Sequence, residues 1–156
     1  MDVFLYSGIC FAGLANSNAA KKGERVSRLK QNLKQLRRLV SFCAGRYDAS
    51  VEVLEAEVLS VQGNIEASIS RYESAIHCAL QENLWNLVAL FNERVFLIIK
   101  EDGYGNRRAF EYLESAIKAY HLWGANAKLK RLSSFMTRRT EDALAVNLKV
   151  WQQEAN

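Results

Sequence analysis

A five-residue pattern recurs in this chain, and the distance between its copies limits the folds open to it. Tyr72-Glu73-Ser74-Ala75-Ile76 returns as Leu113-Glu114-Ser115-Ala116-Ile117 after a shift of 41 residues. The same shift lays Ala79 on Tyr120 and Gly63 on Tyr104, which sits between Gly103 and Gly105. Around each copy the apolar positions keep a helical rhythm: Ile65, Ile69, Tyr72, Ile76 and Ala79 in the first, Phe110, Leu113, Ile117 and Tyr120 in the second. Residues three and four apart share one face of a helix, so both segments read as amphipathic helices. A helical hairpin that cannot bury its apolar face alone must stack on a neighbour, and repeats of this length build α-solenoids. The expected fold class is all-α: antiparallel helical hairpins stacked as a short right-handed solenoid of about seven or eight helices.

The flanking sequence extends this reading. Residues 3–15 form an apolar first helix in which Gly8 and Gly13 each cost about 1 kcal/mol relative to Ala, so tertiary packing must hold it. Helix two covers about residues 23–43, with Val26, Leu29, Leu33, Leu36 and Val40 as its buried seam and Gly45 as its stop. Helix three follows Asp48 as an N-cap, turns Val51, Leu54, Val58 and Val61 inward, and ends at Gly63; Asn64 caps helix four. Ala75 is the small residue where the helices of a pair approach. Helix five, about residues 84–101, is apolar over most of its circumference and is expected at the centre. Gly103-Tyr104-Gly105 breaks it, Asn106 caps helix six, and Gly124 ends that helix, with Trp123 packed at the close of the second repeat. A shorter helix over 125–135 carries Leu129 and Leu132, and Thr140-Glu141-Asp142 opens a last one towards Trp151. The domain reading is one helical-repeat domain over 1–135, with repeat pairs at about 48–82 and 84–123, then a C-terminal helix or tail over 136–156.

The absence of proline from all 156 residues favours helices joined by short turns. Such a length buries roughly 70% of the unfolded surface and needs no disulfide or metal staple. Cys10, Cys43 and Cys78 make no ligand spacing, which predicts buried thiols in a reducing, cytoplasmic setting. No run is long enough to span a bilayer, and Asp2 stands where a signal peptide needs a base. The formal charge of +4 is concentrated: residues 21–38 hold eight of the 21 bases and one of the 17 acids. Lys30, Lys34, Arg37 and Arg38 lie on one face of helix two at i, i+4, i+7 and i+8.

Chemistry finds no purchase. His77 precedes Cys78 and His121 precedes Leu122, neither with the acid of a phosphoacceptor histidine. Gly103-Tyr104-Gly105-Asn106 has no following Lys and links two helices, so it does not cradle phosphate. Neither paired cysteines nor a His-Glu-x-x-His motif offers a zinc site, and no serine or cysteine sits in a nucleophile setting. The reading is therefore of no enzyme: no catalytic residue, no cofactor and no metal.

The pairing of Gly63, Asn64 and Ala67 with Tyr72, Glu73 and Ala75, twelve residues from turn glycine to alanine, resembles a tetratricopeptide-type (TPR-like) repeat. More specifically, the chain is similar to the helical-repeat region of very large signalling proteins. There a Ser/Thr-kinase-like domain and an AAA-type ATPase precede the repeats, and GAF and histidine-kinase domains follow. The landmarks are Phe4, Tyr6 and Ser7, the basic helix from Arg28 to Arg38, Leu54-Glu55-Ala56-Glu57, Tyr72 to Ala79, and Tyr120-x-x-Trp123-Gly124-Ala125-x-Ala127-Lys128. Two departures stand out: Asn86-Leu87-Val88-Ala89 lacks the acid of the family's Asn–Glu–x–Ala, although Asn92-Glu93-Arg94 keeps an Asn–Glu, and no nucleotide-binding, GAF or kinase segment is present. A fragment, a truncated gene product and a stand-alone repeat module are all compatible with this pattern.

The resemblance implies a non-catalytic protein–protein interaction or interdomain scaffold module of two-component or kinase signalling. Its partner would be a protein or neighbouring domains of a larger chain. Candidate contact residues are Lys30, Lys34, Arg37, Arg38 and Trp151; the repeat-packing set is Gly63, Tyr72, Ala75, Ile76, Ala79, Leu113, Ala116, Ile117, Tyr120, Trp123 and Gly124. The competing readings are a basic helical nucleic-acid binder, against which few aromatic residues interleave with the bases, and an orphan fragment without independent function.

Overall fold

The computed structural model describes residues 2–15, 19–41, 48–101 and 106–137. Helices α1 (Asp2–Ala15) and α2 (Ala19–Val40) pair first, α3 (Asp48–Val61) with α4 (Ile65–Gln81) second, and α5 (Trp85–Glu101) with α6 (Asn106–Trp123) third; α7 spans residues 126–137. No strand occurs among the described residues.

Side-chain contacts give the helix directions. Ser7 meets Asn32 and Phe11 meets Arg28, so α1 and α2 run in opposite senses. Phe96 faces Phe110 while Glu93 faces Tyr120, which opposes α5 and α6 likewise. Alternate helices run the same way: Glu66 and Glu73 of α4 meet Arg108 and Tyr112 of α6, and Glu93 and Phe96 of α5 meet Lys128 and Phe135 of α7. Antiparallel hairpins whose alternate helices are parallel make an all-α hairpin stack, as the 41-residue period predicts.

Three turns share one geometry. At the end of α3 the Asn64 N–H donates to Leu59 O and the Gly63 N–H to Ser60 O; at the end of α6 Ala125 and Gly124 donate to Tyr120 and His121. These paired bonds satisfy the last carbonyls of each helix and require a left-handed residue, met by Gly63 at φ 85° and Gly124 at φ 80°. The end of α4 does the same without glycine: Leu84 donates to Ala79 and Asn83 to Leu80, with Asn83 at φ 57°. Asn83 and Gly124 are 41 residues apart, so the repeat extends into the inter-hairpin turn.

Several local expectations change. Helix α2 begins at Ala19 rather than near Gly23, because Ala19-Ala20-Lys21-Lys22 are strong helix formers and Gly23 sits inside the helix with open space beside it. It stops at Val40. Asn64 occupies the N-cap of α4 but makes no side-chain cap bond; its backbone is already committed to the α3 turn. Helix α7 continues to residue 137, past the expected boundary at 135. The expected stop at Gly45, the Gly103–Gly105 break, Cys43 and the helix towards Trp151 lie outside the described residues.

One core runs through the stack. Leu5 and Ile9 of α1, Leu29 and Leu36 of α2, and Val53 and Leu54 of α3 are buried in it. Gly8 answers the question its weak helix propensity raised: a Cβ there would stand 2.5 Å from a Leu54 methyl, so the missing side chain lets α3 seat against α1. Ala75 and Ala116 are fully buried at equivalent places in α4 and α6. Helix α5 is central as expected, with residues 91–96 buried without a break.

Candidate functional site

Buried charge in α5 first needs an account. Glu57 on α3 is fully buried, and its carboxylate accepts from Arg94 Nε at 2.6 Å and Nη2 at 2.9 Å and from the Tyr72 hydroxyl. One hairpin thus supplies the carboxylate and the phenol, and the next supplies the cation. The arrangement recurs one hairpin later: Glu93 on α5 accepts from the Tyr120 hydroxyl at 2.6 Å and from Lys128 Nζ of α7 at 2.7 and 2.9 Å. Burial of an ionised carboxylate is tolerable only with such pairing and bonding. Burial lowers the Arg94 guanidinium, but the Glu57 charge and hydrogen bonds outweigh it and hold Arg94 above its ordinary value. Burial, then the Glu57 charge, pushes the Tyr72 phenol well up; burial and the bond to Glu93 do the same for Tyr120. Buried side-chain polar atoms among the described residues are satisfied except Ser68 Oγ. These groups are engaged with one another and hold consecutive hairpins in register.

A second set of charges is only partly engaged. On α2, Arg25 donates to Leu14 O, Arg28 pairs with Glu24 at 3.1 Å, and Arg37 pairs with Glu55 of α3 at 2.6 Å. Lys30, Lys34 and Arg38 have no acidic partner among the described residues. They line a cleft of about 670 Å³ between α2 and α3, together with Leu33, Arg37, Ser41 and Val58. Lys34 and Arg38 also border a hollow of about 540 Å³ on the other flank of α2, with Phe4, Gln31, Asn32 and Gln35. The helical repeat puts this cation row on the solvent side because Leu29 and Leu36 turn to the core, while Leu33 sits at the boundary between the two faces and borders the cleft.

The sequence-derived candidates sort as follows. Lys30, Lys34, Arg37 and Arg38 share one cleft, although Arg37 is tied to Glu55. Tyr72, Ala75, Ala79, Leu113, Ala116 and Tyr120 are buried, Ile76 and Ile117 pack partly buried against them, and Gly63 and Gly124 form the turns. Trp123 is a correction: it is 56% exposed, because the turn at Gly124 carries the chain away and leaves its ring beside Tyr120 with one side in water. Trp151 lies outside the described residues. Cys10 and Cys78 correct the expectation of buried thiols: both are exposed, on the outward sides of α1 and α4. The motif residues Glu57, Tyr72, Glu93, Arg94, Tyr120 and Lys128 are those that hold the hairpins together. Sequence reasoning quoted them without finding that role; the available signal was ionic side chains inside apolar helices.

Among the described residues no helix is long and apolar enough to cross a membrane, and no group of three His, Cys, Asp or Glu could hold a metal ion. Compared with protein-family models, curated proteins and solved structures, the chain matches none.

Proposed function

We propose that this chain is a non-catalytic, cytoplasmic interaction module, a TPR-like scaffold joining proteins or domains in two-component or kinase signalling. One observation carries the reading. The buried ionic groups are consumed in holding hairpin to hairpin, whereas Lys30, Lys34 and Arg38 line an open cleft and meet no acid among the described residues. A rigid frame with an unsatisfied, charged, partly apolar cleft is what a binding surface requires, since preorganised groups lose little freedom on association. The signalling context rests on the motif resemblance alone, and four of the residues carrying it, Glu57, Tyr72, Tyr120 and Lys128, also pair the hairpins.

Affinity capture with the full chain, followed by cross-linking and mass spectrometry, tests the module. Protein partners retained after nuclease treatment and unaffected by His77→Ala or His121→Ala are expected. Recovery of nucleic acid alone, with every protein lost on nuclease treatment, would transfer the chain to the nucleic-acid-binding reading.

A further inference from the structure

We infer that the α2–α3 cleft takes an acidic amphipathic helix, one carrying carboxylates a helical turn apart with apolar side chains beside them. The inference rests on the interaction-module reading and specifies its site. Lys30, Lys34 and Arg38 are spaced four residues apart on one helix, which sets their origins about 6 Å apart along a line of about 12 Å. A helix with acids at i, i+4 and i+8 repeats that spacing, so the charges can meet in register. The cleft between them is not polar throughout: Leu33 and Val58 line it, and Leu33 is 8% exposed. Its volume, about 670 Å³, suits inserted side chains rather than a flat ionic contact. Arg37 closes the α3 side through Glu55 and adds no free charge there.

Nucleic acid fits this surface less well. Among the described residues no aromatic side chain lines the cleft for base stacking, and Arg37 is paired with Glu55. An apolar floor gives a phosphate backbone nothing, but gives a leucine about 1.5–3 kcal/mol on full burial.

The experiment uses the full chain and a synthetic helical peptide with glutamates at i, i+4 and i+8 flanked by leucines. Its companion replaces the leucines by serine at the same charge. Fluorescence anisotropy is expected to show at least about tenfold tighter binding of the leucine peptide. Lys30→Glu/Lys34→Glu/Arg38→Glu is expected to weaken it at least about tenfold, and Lys118→Glu on α6 to leave it unchanged. If circular dichroism shows the reversed variant unfolded, the glutamine version of the same three changes replaces it, with loss in the same direction. Equal binding of the two peptides, full binding by the charge variant, or displacement of the peptide by mixed-sequence duplex DNA or anionic vesicles overturns the inference. Protein partners that cross-link elsewhere and survive the charge variant would refute this site while leaving the module intact.

Discussion

The Arg94→Met substitution tests whether the buried relays hold the stack. It keeps side-chain length and removes the guanidinium, leaving the Glu57 carboxylate with the Tyr72 hydroxyl as its remaining bonded side chain. The Glu57 side chain is 0% exposed and that of Arg94 11%, so water cannot replace the lost cation. Breaking such a pair from one side costs about 3–5 kcal/mol. For a domain of this size that lowers the melting temperature by roughly 6–20 °C. Arg107 and Glu111 of α6 provide the contrast: their side chains are 90% and 65% exposed, and Arg107→Met should cost no more than about 0.5 kcal/mol. Adding Glu57→Gln to Arg94→Met removes the stranded charge and keeps an oxygen for Tyr72. The double variant should therefore recover at least about 1 kcal/mol over Arg94→Met alone. Urea unfolding followed by circular dichroism reads the wild type, Arg94→Met, Glu57→Gln, their double and Arg107→Met. A loss below about 1 kcal/mol for Arg94→Met, or strictly additive losses in the double, would refute the relay as the element that joins hairpins.

The phenols give a pH signature. Burial, then the bond to Glu73, pushes Tyr112 up to about 12, and Tyr72 and Tyr120 are also raised. A phenol whose folded value lies above its ordinary one favours the fold while neutral, so this stability is complete below about pH 10 and is lost as pH rises through 12. Near-ultraviolet titration should show these tyrosines ionising only as helicity is lost; ionisation well before unfolding contradicts the assignment. Ala75→Leu and Ala116→Leu should each cost about 1–3 kcal/mol in urea unfolding by overpacking the close contacts within hairpins. Gly8 and Gly23 should respond with opposite sign: Gly23→Ala, in open space, should gain up to about 1 kcal/mol, whereas Gly8→Ala should destabilise through Leu54.

The hairpin stack was legible because burial imposes a period on the helices, and glycine marks a left-handed turn wherever it supplies one. Gly63 and Gly124 show this. Asn83 does the same work but resembles any polar residue after a helix, and only its 41-residue relation to Gly124 gives it away. The relays were not legible in the same way. Glu57 and Glu93 stand out as acids within apolar helices, but their partners depend on how far each hairpin extends. Helix α5 has 17 residues where α3 has 14, so the two relays sit at different depths. Glu57 reaches Tyr72, whereas Glu93 reaches Tyr120, which the repeat aligns with Ala79. Period alone would have sought the second phenol at Leu113. The cation row was visible as charge on one helix face, but Leu33 and Val58 as its floor required the packing of α2 on α3.

Charge is thus partitioned by two different costs. In the core, desolvation demands a partner for every carboxylate; on α2, water screens Lys30, Lys34 and Arg38, and the cost is their repulsion. Like charges four residues apart destabilise a helix by about 0.2–0.5 kcal/mol per pair. Lys34 takes part in two such pairs, with Lys30 and with Arg38. Lys34→Glu converts both repulsions to attractions and should stabilise the isolated chain by roughly 0.8–2 kcal/mol. The same change places a carboxylate at the middle of the cleft and should weaken the acidic peptide at least several-fold. Opposite signs for stability and binding are what a surface kept for a partner produces. A variant both less stable and weaker in binding would mean that Lys34 serves the fold, and the row would lose its claim as a docking site.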